Sequence, residues 1–439
     1  MRRLFSAVLL LGSLFLISSC GDDPGFTPPI PVPTAFATVV NVVPDSPSLV
    51  VFGNTLFVGE VQYGRSSDLI RALPQVVLDY RVVYFDRAVE TTVVSSTVLI
   101  DIDHLQTVII IGSLDAAIPV VVDSEPPVFE EGNTDTHIVF LNASSSVDTA
   151  TVTLTNSQDP TQTISLPNGQ QSELITVTSG SDHNIAVTDS SNGNPLWLSG
   201  DFGLLAQTER IFVLVDYFGP GTNTVRMIAI DVPGQFPNEQ LDTAIRFSNM
   251  IPDHGPVDIR VNDVIVASNL VFSESTNFLP IAAGTSTIKV HTAGDASDEL
   301  FSGEITLIQG SFYDQGFAGL DGVTNSSLSF SIRRPMAPRG RMHFTKLAPT
   351  TGAVDIYIQE PGVDISTTVP VSRLAETDSA TIEVLPGSFN LIVTDATTID
   401  VVYGPVRIDI ENRGIYSIIL TDKSGGGEPM EAVFLDDFN

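Results

Sequence analysis

Residues 249–259 read Asn249-Met-Ile-Pro-Asp-His-Gly-Pro-Val-Asp-Ile259, and this stretch decides the fold because its pattern returns along the chain. Residues 41–51 read Asn41-Val-Val-Pro-Asp-Ser-Pro-Ser-Leu-Val-Val51, and residues 346–356 read Lys346-Leu-Ala-Pro-Thr-Thr-Gly-Ala-Val-Asp-Ile356. A weaker match is Asn142-Ala-Ser-Ser-Ser-Val-Asp-Thr-Ala-Thr-Val152. The starts lie roughly 100 residues apart, so the sequence predicts four copies of one folding unit.

Each copy is rich in short runs of alternating apolar and polar residues, such as Thr151–Thr155, Val257–Val261 and Ala353–Ile358. Alternation places successive side chains on opposite faces of a strand, one buried and one in water. Gly, Pro, Asn and Asp separate the runs at short intervals, as hairpin turns require. An apolar run near the end of each copy predicts a closing strand, at 107–111, 210–215, 311–313 and 415–420. We therefore predict an all-β chain of about four tandem antiparallel immunoglobulin-like β-sandwiches.

The third copy resembles the bacterial DUF4397 domain. The segments that carry the resemblance are Ala244-Ile-Arg-Phe-Ser-Asn-Met-Ile-Pro-Asp253, Val257-Asp-Ile-Arg-Val-Asn262 and Ala267-Ser-Asn-Leu-Val-Phe272. The fourth copy shares Val354-Asp-Ile-Tyr357 and Leu385-Pro-Gly-Ser388, whereas the first departs at Arg71-Ala-Leu-Pro-Gln75, where the glycine is absent. The family has no known function. The resemblance implies an extracytoplasmic β-sandwich and names no active residue.

Three Pro- and Gly-rich breaks, at 124–133, 232–237 and 334–340, divide the body. The second sandwich is divergent, and the third and fourth are DUF4397-like. Because the breaks are short, neighbouring domains are expected to touch and to form a bent or straight rod. The predicted divisions are a lipoprotein signal peptide at 1–19, a Pro-rich tether at 20–35, and sandwiches at 36–123, 134–232, 241–334 and 340–439.

The N-terminus has the features of a secretion signal. Arg2 and Arg3 precede an apolar stretch over residues 4–17, which is short for a membrane-spanning helix. The sequence Ile17-Ser-Ser-Cys20 resembles the bacterial lipoprotein lipobox. The resemblance implies cleavage before Cys20 and lipid attachment to that residue, which is the single cysteine of the chain. A plain secretory signal with a chance cysteine is the alternative.

The segment after Cys20 contains five prolines between Pro24 and Pro33, which favours an extended, semi-rigid spacer. Gly21 rather than aspartate follows the cysteine, and by resemblance to enterobacterial sorting rules this favours the outer membrane. Which membrane face the body occupies stays open, as does the oligomeric state.

Composition excludes several classes of function. The chain has 20 Lys+Arg against 52 Asp+Glu and a net charge of −32, which argues against nucleic-acid binding because that requires a basic face. A single cysteine excludes a disulfide framework within the chain. The motifs of serine hydrolases, phosphate-binding loops, zinc peptidases and EF-hands are absent from the sequence.

Two histidines are candidate functional groups. His104 follows Asp101-Ile-Asp103, and alternate strand residues would point both carboxylates to one face as a metal corner. A solvated strand end is the simpler interpretation. His183 with Asp182 could belong to a nucleophilic set, but triad members come from distant segments, so a polar hairpin tip is favoured.

Carboxylate oxygens suit calcium, and acidic linkers between sandwiches could bind it. Whether calcium is present stays open, because acidic residues also confer solubility alone. We therefore assign no metal, no cofactor and no catalytic residue. Trp197 is flanked by apolar residues and is predicted to lie in a core. The calcium candidates are Asp123, Glu125, Glu130, Glu131, Asp436 and Asp437.

We predict a non-catalytic, lipid-anchored cell-envelope protein whose sandwiches form a structural or adhesive arm. It would meet the membrane through Cys20 and have an envelope protein or glycan as partner, with no nucleic acid. The alternative is a surface or periplasmic binding module for a glycan or peptide. A concave patch with two or more exposed aromatic rings would favour the glycan binder, and a deep cleft with converging carboxylates would indicate an enzyme.

Overall fold

The computed structural model describes residues 35–72, 75, 77–86, 89–102, 104–124, 130, 132–230, 236, 239 and 241–437. The predicted signal peptide, the predicted tether up to residue 34 and Cys20 lie outside these residues. The regular elements described are 34 strands and two short 3-10 helices, Leu114–Ala116 and Ile365–Thr367, so the all-β prediction is confirmed. Among the described residues, no helix is long and apolar enough to cross a membrane.

Eight sheets form four β-sandwiches with one topology. Each sandwich has an inner sheet, ordered fourth–first–seventh–eighth strand, and an outer sheet, ordered third–second–fifth–sixth. All pairings are antiparallel except that the first strand runs parallel to the seventh, as in the Phe36–Leu105 and Arg341–Ile415 pairs. The predicted closing runs are these seventh strands. Each therefore lies beside the first strand of its own sandwich.

The first sandwich has a split fourth strand, because β4 and β5 both pair with β1. Its strands are β1 Ala35–Asn41, β2 Leu49–Gly53, β3 Leu56–Val61, β4 Arg65–Ser66, β5 Ile70–Ala72, β6 Val77–Asp86, β7 Val89–Leu99, β8 Leu105–Ile111 and β9 Ile118–Ser124.

The second sandwich has a split sixth strand, because β15 and β16 both pair with β14. Its strands are β10 Asp135–Asn142, β11 Thr149–Thr155, β12 Gln162–Pro167, β13 Ile175–Thr178, β14 Gly180–Asp189, β15 Pro195–Leu198, β16 Phe202–Leu204, β17 Thr208–Asp216 and β18 Val225–Ala229.

The third and fourth sandwiches have eight strands each. Those of the third are β19 Ala244–Met250, β20 Val257–Val261, β21 Val264–Leu270, β22 Leu279–Pro280, β23 Gly284–Thr292, β24 Glu299–Leu307, β25 Phe312–Ala318 and β26 Asn325–Ser331. Those of the fourth are β27 Gly340–Leu347, β28 Val354–Gln359, β29 Ser372–Leu374, β30 Ser379–Val384, β31 Gly387–Asp395, β32 Val401–Ile410, β33 Ile415–Thr421 and β34 Glu431–Asp436.

The repeated motif is explained by a buried side chain at the end of each first strand. Asn41, Asn142 and Asn249 each accept, through Oδ1, the backbone N–H two residues later, at 3.0–3.1 Å. Each also donates from Nδ2 to a main-chain carbonyl at the end of the third strand, 2.8–3.2 Å away. In the fourth copy the Lys346 ammonium donates to the carbonyls of Ala348 and Thr351 instead. This side chain fixes the turn from one sheet to the other.

Inner sheets pack against inner sheets. Val40 and Ile109 of the first sandwich share an apolar cluster with Leu141 and Val213 of the second. A smaller cluster, which includes Met250 and Leu347, joins the third sandwich to the fourth. The first and seventh strands are therefore buried on both faces, and every residue of β19 and β27 is buried.

The expectation of a rod is wrong, because the first and fourth sandwiches touch. Arg413, next to β33, donates to the carboxylate of Asp45 in the first sandwich at 2.6 Å. The Ala337 N–H donates to the Asp45 carbonyl oxygen at 2.7 Å, and Ala337 belongs to the core cluster of the first sandwich. The physical reason is that the third predicted break is a buried connection, so it holds the sandwiches together.

Candidate functional site

The connection between the third and fourth sandwiches is an arginine-rich strap, residues 332–341, with the sequence Ile332-Arg-Arg-Pro-Met-Ala-Pro-Arg-Gly-Arg341. It holds four of the 20 basic residues of the chain. Pro335 and Pro338 lack the N–H that a sheet ladder needs, which explains why β26 ends before the strap and β27 begins at its end. Met336 is buried, so the strap lies inside the molecule and brings its arginines with it.

Arg334 joins the strap to the first sandwich. Its Nη1 donates to the carbonyl oxygens of Pro44 and Ser46 at 2.9 and 2.8 Å. Its guanidinium lies over the ring of Tyr63, 5.1 Å from the centroid. Burial, reinforced by the neighbouring Arg341, lowers the pKa of Arg334 to about 10. Its described partners are thus carbonyls and an aromatic face, which leave the positive charge without a bonded carboxylate.

Two further arginines near Arg334 are held by carboxylates. Arg226 on β18 forms a two-pronged ion pair with Glu239, with Nε and Nη2 at 2.8 and 2.6 Å from the carboxylate oxygens. Glu239 is itself buried and accepts the indole N–H of Trp197 at 2.5 Å. Arg333 is paired with Asp437 at 2.9 Å. These carboxylates fix the orientation of both guanidinium groups.

A cavity of about 900 Å³ opens where the first three sandwiches meet the strap, and we call it the junction cavity. Of the described residues, four arginines line it, against Asp216 as the carboxylate. Its aromatic wall is formed by Tyr63, Phe218, Phe312 and Phe330. The lining arginines are Arg65, Arg226, Arg333 and Arg334.

A second cavity of about 690 Å³ lies between the first sandwich and the strap. It shares Tyr63, Ile332 and Arg334 with the junction cavity. Arg339 and Arg341 line it together with Glu60 and Glu383. Its described lining thus has three arginines against two glutamates.

The metal corner considered from the sequence is partly assembled. Asp101, His104 and Asp123 place one ligand atom each within 4.8 Å of one another, and His104 Nδ1 lies 2.9 Å from Asp123 Oδ1. The sequence had put Asp123 in a separate calcium candidate, and Asp103 lies outside the described residues. Both described carboxylates are exposed, and such groups often meet without a metal, so the absence of a metal site stays a prediction.

His183 does not lie at a polar hairpin tip, and that prediction is wrong. It is fully buried within β14, beside the ring of Phe202 and 3.0 Å from the Asn156 amide nitrogen. The strand continues through this polar stretch because its alternate residues face the core of the second sandwich. Asp182 points away and accepts the Ser157 N–H at 2.9 Å, so the two residues form no nucleophilic pair.

Trp197 is buried in the second core, as predicted. Of the calcium candidates, Asp437 is paired with Arg246 and Arg333, so its carboxylate is already neutralised within the protein. Glu125, Glu131 and Cys20, the predicted lipid-attachment residue, lie outside the described residues, as does the side chain of Asp436.

The junction cavity escaped the sequence analysis. The available signal was the clustering of Arg333, Arg334, Arg339 and Arg341 within nine residues of a strongly acidic chain. We interpreted that segment as a linker because of its prolines. Its contacts with Pro44 and Ser46, almost 300 residues earlier, leave no trace in local sequence.

Comparison with known proteins supports the family resemblance of the third repeat. Residues 243–357, which span the third sandwich and the first two strands of the fourth, match the profile of the Domain of unknown function (DUF4397). No curated protein matches the chain.

Two solved structures are similar at low identity. The Bacillus anthracis TIE protein is 12% identical, with a TM-score of 0.15 over 90% of this chain and 69% of that one. The pilus adhesin SpaC from Lactobacillus rhamnosus GG is 11% identical, with a TM-score of 0.17 over 93% of this chain. This chain spans 54% of the SpaC chain, about half its length.

Proposed function

We propose that this protein is a non-catalytic module of the bacterial cell envelope, with a structural or adhesive role, attached to the outer membrane by lipid on Cys20. The observation that carries the role is the packing of inner sheets on inner sheets, closed by the Asp45–Arg413 contact. Such packing gives a stiff body whose exposed outer sheets can meet a partner without rearranging.

The proposed arrangement is a compact head on a stalk. Residues 20–34 precede β1, and a proline-rich chain of that length extends up to about 45 Å at 3.1 Å per residue. The body without Arg2 and Arg3 carries 18 basic and 52 acidic residues, a net charge of −34, and should be repelled by anionic headgroups. Attachment would therefore depend on the acyl chains, each buried CH₂ contributing about 0.8 kcal/mol.

Replacement of the lipid-bearing residue tests the anchor. Cys20→Ser should abolish incorporation of labelled fatty acid and move the protein from the membrane to the soluble fraction. Ser19→Gly keeps a small residue before the cysteine and serves as the matched control, which should stay with the outer membrane. If Cys20→Ser protein remains bound to membranes, the lipid anchor is wrong.

The role of the head is tested in whole cells. Cells that carry the anchored protein should bind to surfaces or to one another more than cells carrying Cys20→Ser, or should resist envelope stress better. Equal adhesion and equal envelope integrity in the two strains would contradict both the adhesive and the structural role.

A further inference from the structure

We propose that the junction cavity binds an acidic oligosaccharide, a sugar chain bearing carboxylate or sulfate groups. The inference goes beyond the envelope role and does not require the lipid anchor. It is carried by three features of the cavity, namely the sign of its charge, the fixed orientation of its arginines and its aromatic wall.

The charge of the junction cavity is opposite to that of the molecule. The chain has 52 acidic residues against 20 basic ones, yet four arginines line the cavity against the carboxylate of Asp216. Arg226 and Arg333 are paired with Glu239 and Asp437, so Arg65 and Arg334 supply the remaining positive charge that would attract an anionic ligand to the cavity. Guanidinium groups suit carboxylate and sulfate because their planar donors match two oxygens at once.

Arg334 has no carboxylate bonded to it among the described residues. Its Nη1 donates to two carbonyl oxygens, its face covers Tyr63, and its side chain is half-buried. A buried charge is expensive without a counter-charge. An anion in the adjoining cavity would provide that counter-charge and would gain strength from the low local dielectric.

Their ion pairs orient Arg226 and Arg333 but leave part of each side chain accessible to a ligand. The Glu239 carboxylate holds Arg226 by Nε and Nη2, and the Arg226 side chain remains 38% exposed. Arg333 is held by Asp437 and keeps 20% of its side chain exposed. Arg65, at the edge strand β4, is exposed. At Arg226 and Arg333 a ligand would therefore meet donors whose conformational entropy is already largely lost.

The aromatic wall distinguishes a sugar from a simple anion. Phe330 is 53% exposed, and Tyr63, Phe218 and Phe312 line the same cavity. Sugar rings present apolar C–H faces that pack on aromatic rings, while their acidic groups require cations. The volume of about 900 Å³ falls in the range of roughly 300–1,000 Å³ typical of ligand pockets. The sequence analysis had set two or more exposed aromatic rings as the mark of a glycan binder; here Phe330 is exposed and Tyr63, Phe218 and Phe312 are half-buried.

Binding is measured by titrating the purified full-length chain in neutral detergent with oligogalacturonate and heparin-derived hexasaccharides. The emission of Trp197 reports on the site, because its indole shares Glu239 with Arg226. We expect saturable binding that weakens at least tenfold between 50 and 300 mM salt, as ion pairing predicts. A neutral malto-oligosaccharide of equal length and a polyglutamate peptide should not bind.

Matched variants locate the site. Arg65→Gln and Phe330→Ser alter exposed cavity residues and should each weaken binding about tenfold or more. Arg407→Gln removes an arginine that is 69% exposed on β32, outside the cavity, and should leave binding unchanged. Equal losses in Arg65→Gln and Arg407→Gln, equal binding of neutral sugar, binding of polyglutamate instead of glycan, or no binding would each overturn the inference. Membrane fractionation of Cys20→Ser is a separate readout, so failure here is distinguishable from failure of the anchor.

Discussion

Arg413 of the fourth sandwich donates from Nε and Nη2 to Oδ2 of Asp45 in the first, at 2.9 and 2.6 Å, across 368 positions of sequence. The other carboxylate oxygen of Asp45 accepts the Leu114 N–H at 2.8 Å. Asp45 belongs to the repeated Pro-Asp motif of the first copy. One turn of the repeat therefore both shapes its own sandwich and joins the two ends of the body.

Removal of the Asp45 carboxylate should weaken the contact between the first and fourth sandwiches. We expect Asp45→Ala to lower the free energy of unfolding of the first sandwich by about 1–3 kcal/mol, because it leaves buried donors without an acceptor. Urea unfolding followed by circular dichroism measures the loss. Asp68→Ala, an exposed residue of the same sandwich, is the control and should change stability little. Equal effects of the two substitutions would show that the contact is not formed.

The interface between the third and fourth sandwiches contains a buried charge network. Arg246 is 5% exposed and pairs with Asp314 at 2.6 Å and Asp437 at 2.7 Å. Arg246→Met should destabilise the protein by about 3–5 kcal/mol, because it leaves the enclosed Asp314 carboxylate unpaired and Asp437 with Arg333 as its remaining ion-pair partner. Arg407→Met, which breaks the exposed pair with Asp409, should cost about 0–1 kcal/mol. Thermal unfolding compares the two, and a similar shift for both would contradict a buried network.

His343 should make the same interface sensitive to acid. Burial, together with the nearby Arg246, lowers the pKa of His343, although Asp314 and Asp437 oppose this. The unfolded chain takes up the proton near pH 6.5, whereas the folded protein resists it. The stability contribution is therefore complete above pH 6.5 and falls as the pH drops from 6.5 toward the lower folded pKa. Urea midpoints at pH 7.5 and 5.5 should differ less in His343→Gln than in the wild type, and equal differences would contradict this role.

Gly340 should tolerate no side chain where the strap enters β27. A Cβ there would lie 2.4 Å from an Ile410 methyl group and 2.9 Å from the Glu411 carbonyl oxygen. Gly340→Ala should therefore lower the free energy of unfolding by about 1–3 kcal/mol through overpacking. Gly59→Ala, with no atom within 4 Å of the added Cβ, is the control. A melting temperature of Gly340→Ala equal to that of Gly59→Ala would contradict the close packing.

The outer sheets were predictable from the sequence, and the inner sheets only in part. On β20, Val257, Ile259 and Val261 are buried while the residues between them are less so, as alternation indicates. On β27, alternation would place Arg341, His343 and Thr345 in water, but a neighbouring sheet covers them. Local periodicity reports on one sandwich and contains no information about which sandwich faces another.

The candidate site was missed for the same reason. Composition and motif spacing favoured a body without catalytic groups, and neither contains a signal for a site formed between domains. The junction cavity depends on the contacts of Arg334 with Pro44 and Ser46, which form only when the first sandwich packs against the strap. A prediction of this site from sequence would have had to treat the strap arginines as buried residues instead of linker residues.

Small-angle X-ray scattering of the secreted Cys20→Ser protein tests the central claim, closure of the four sandwiches into one body, most directly. A compact chain of about 400 residues has a radius of gyration of about 22 Å, whereas four 100-residue domains in a row would give roughly 40 Å. The account predicts a value of about 22–26 Å for the wild-type body, with an increase in Asp45→Ala. A radius near 40 Å for the wild-type body would contradict closure and restore the rod.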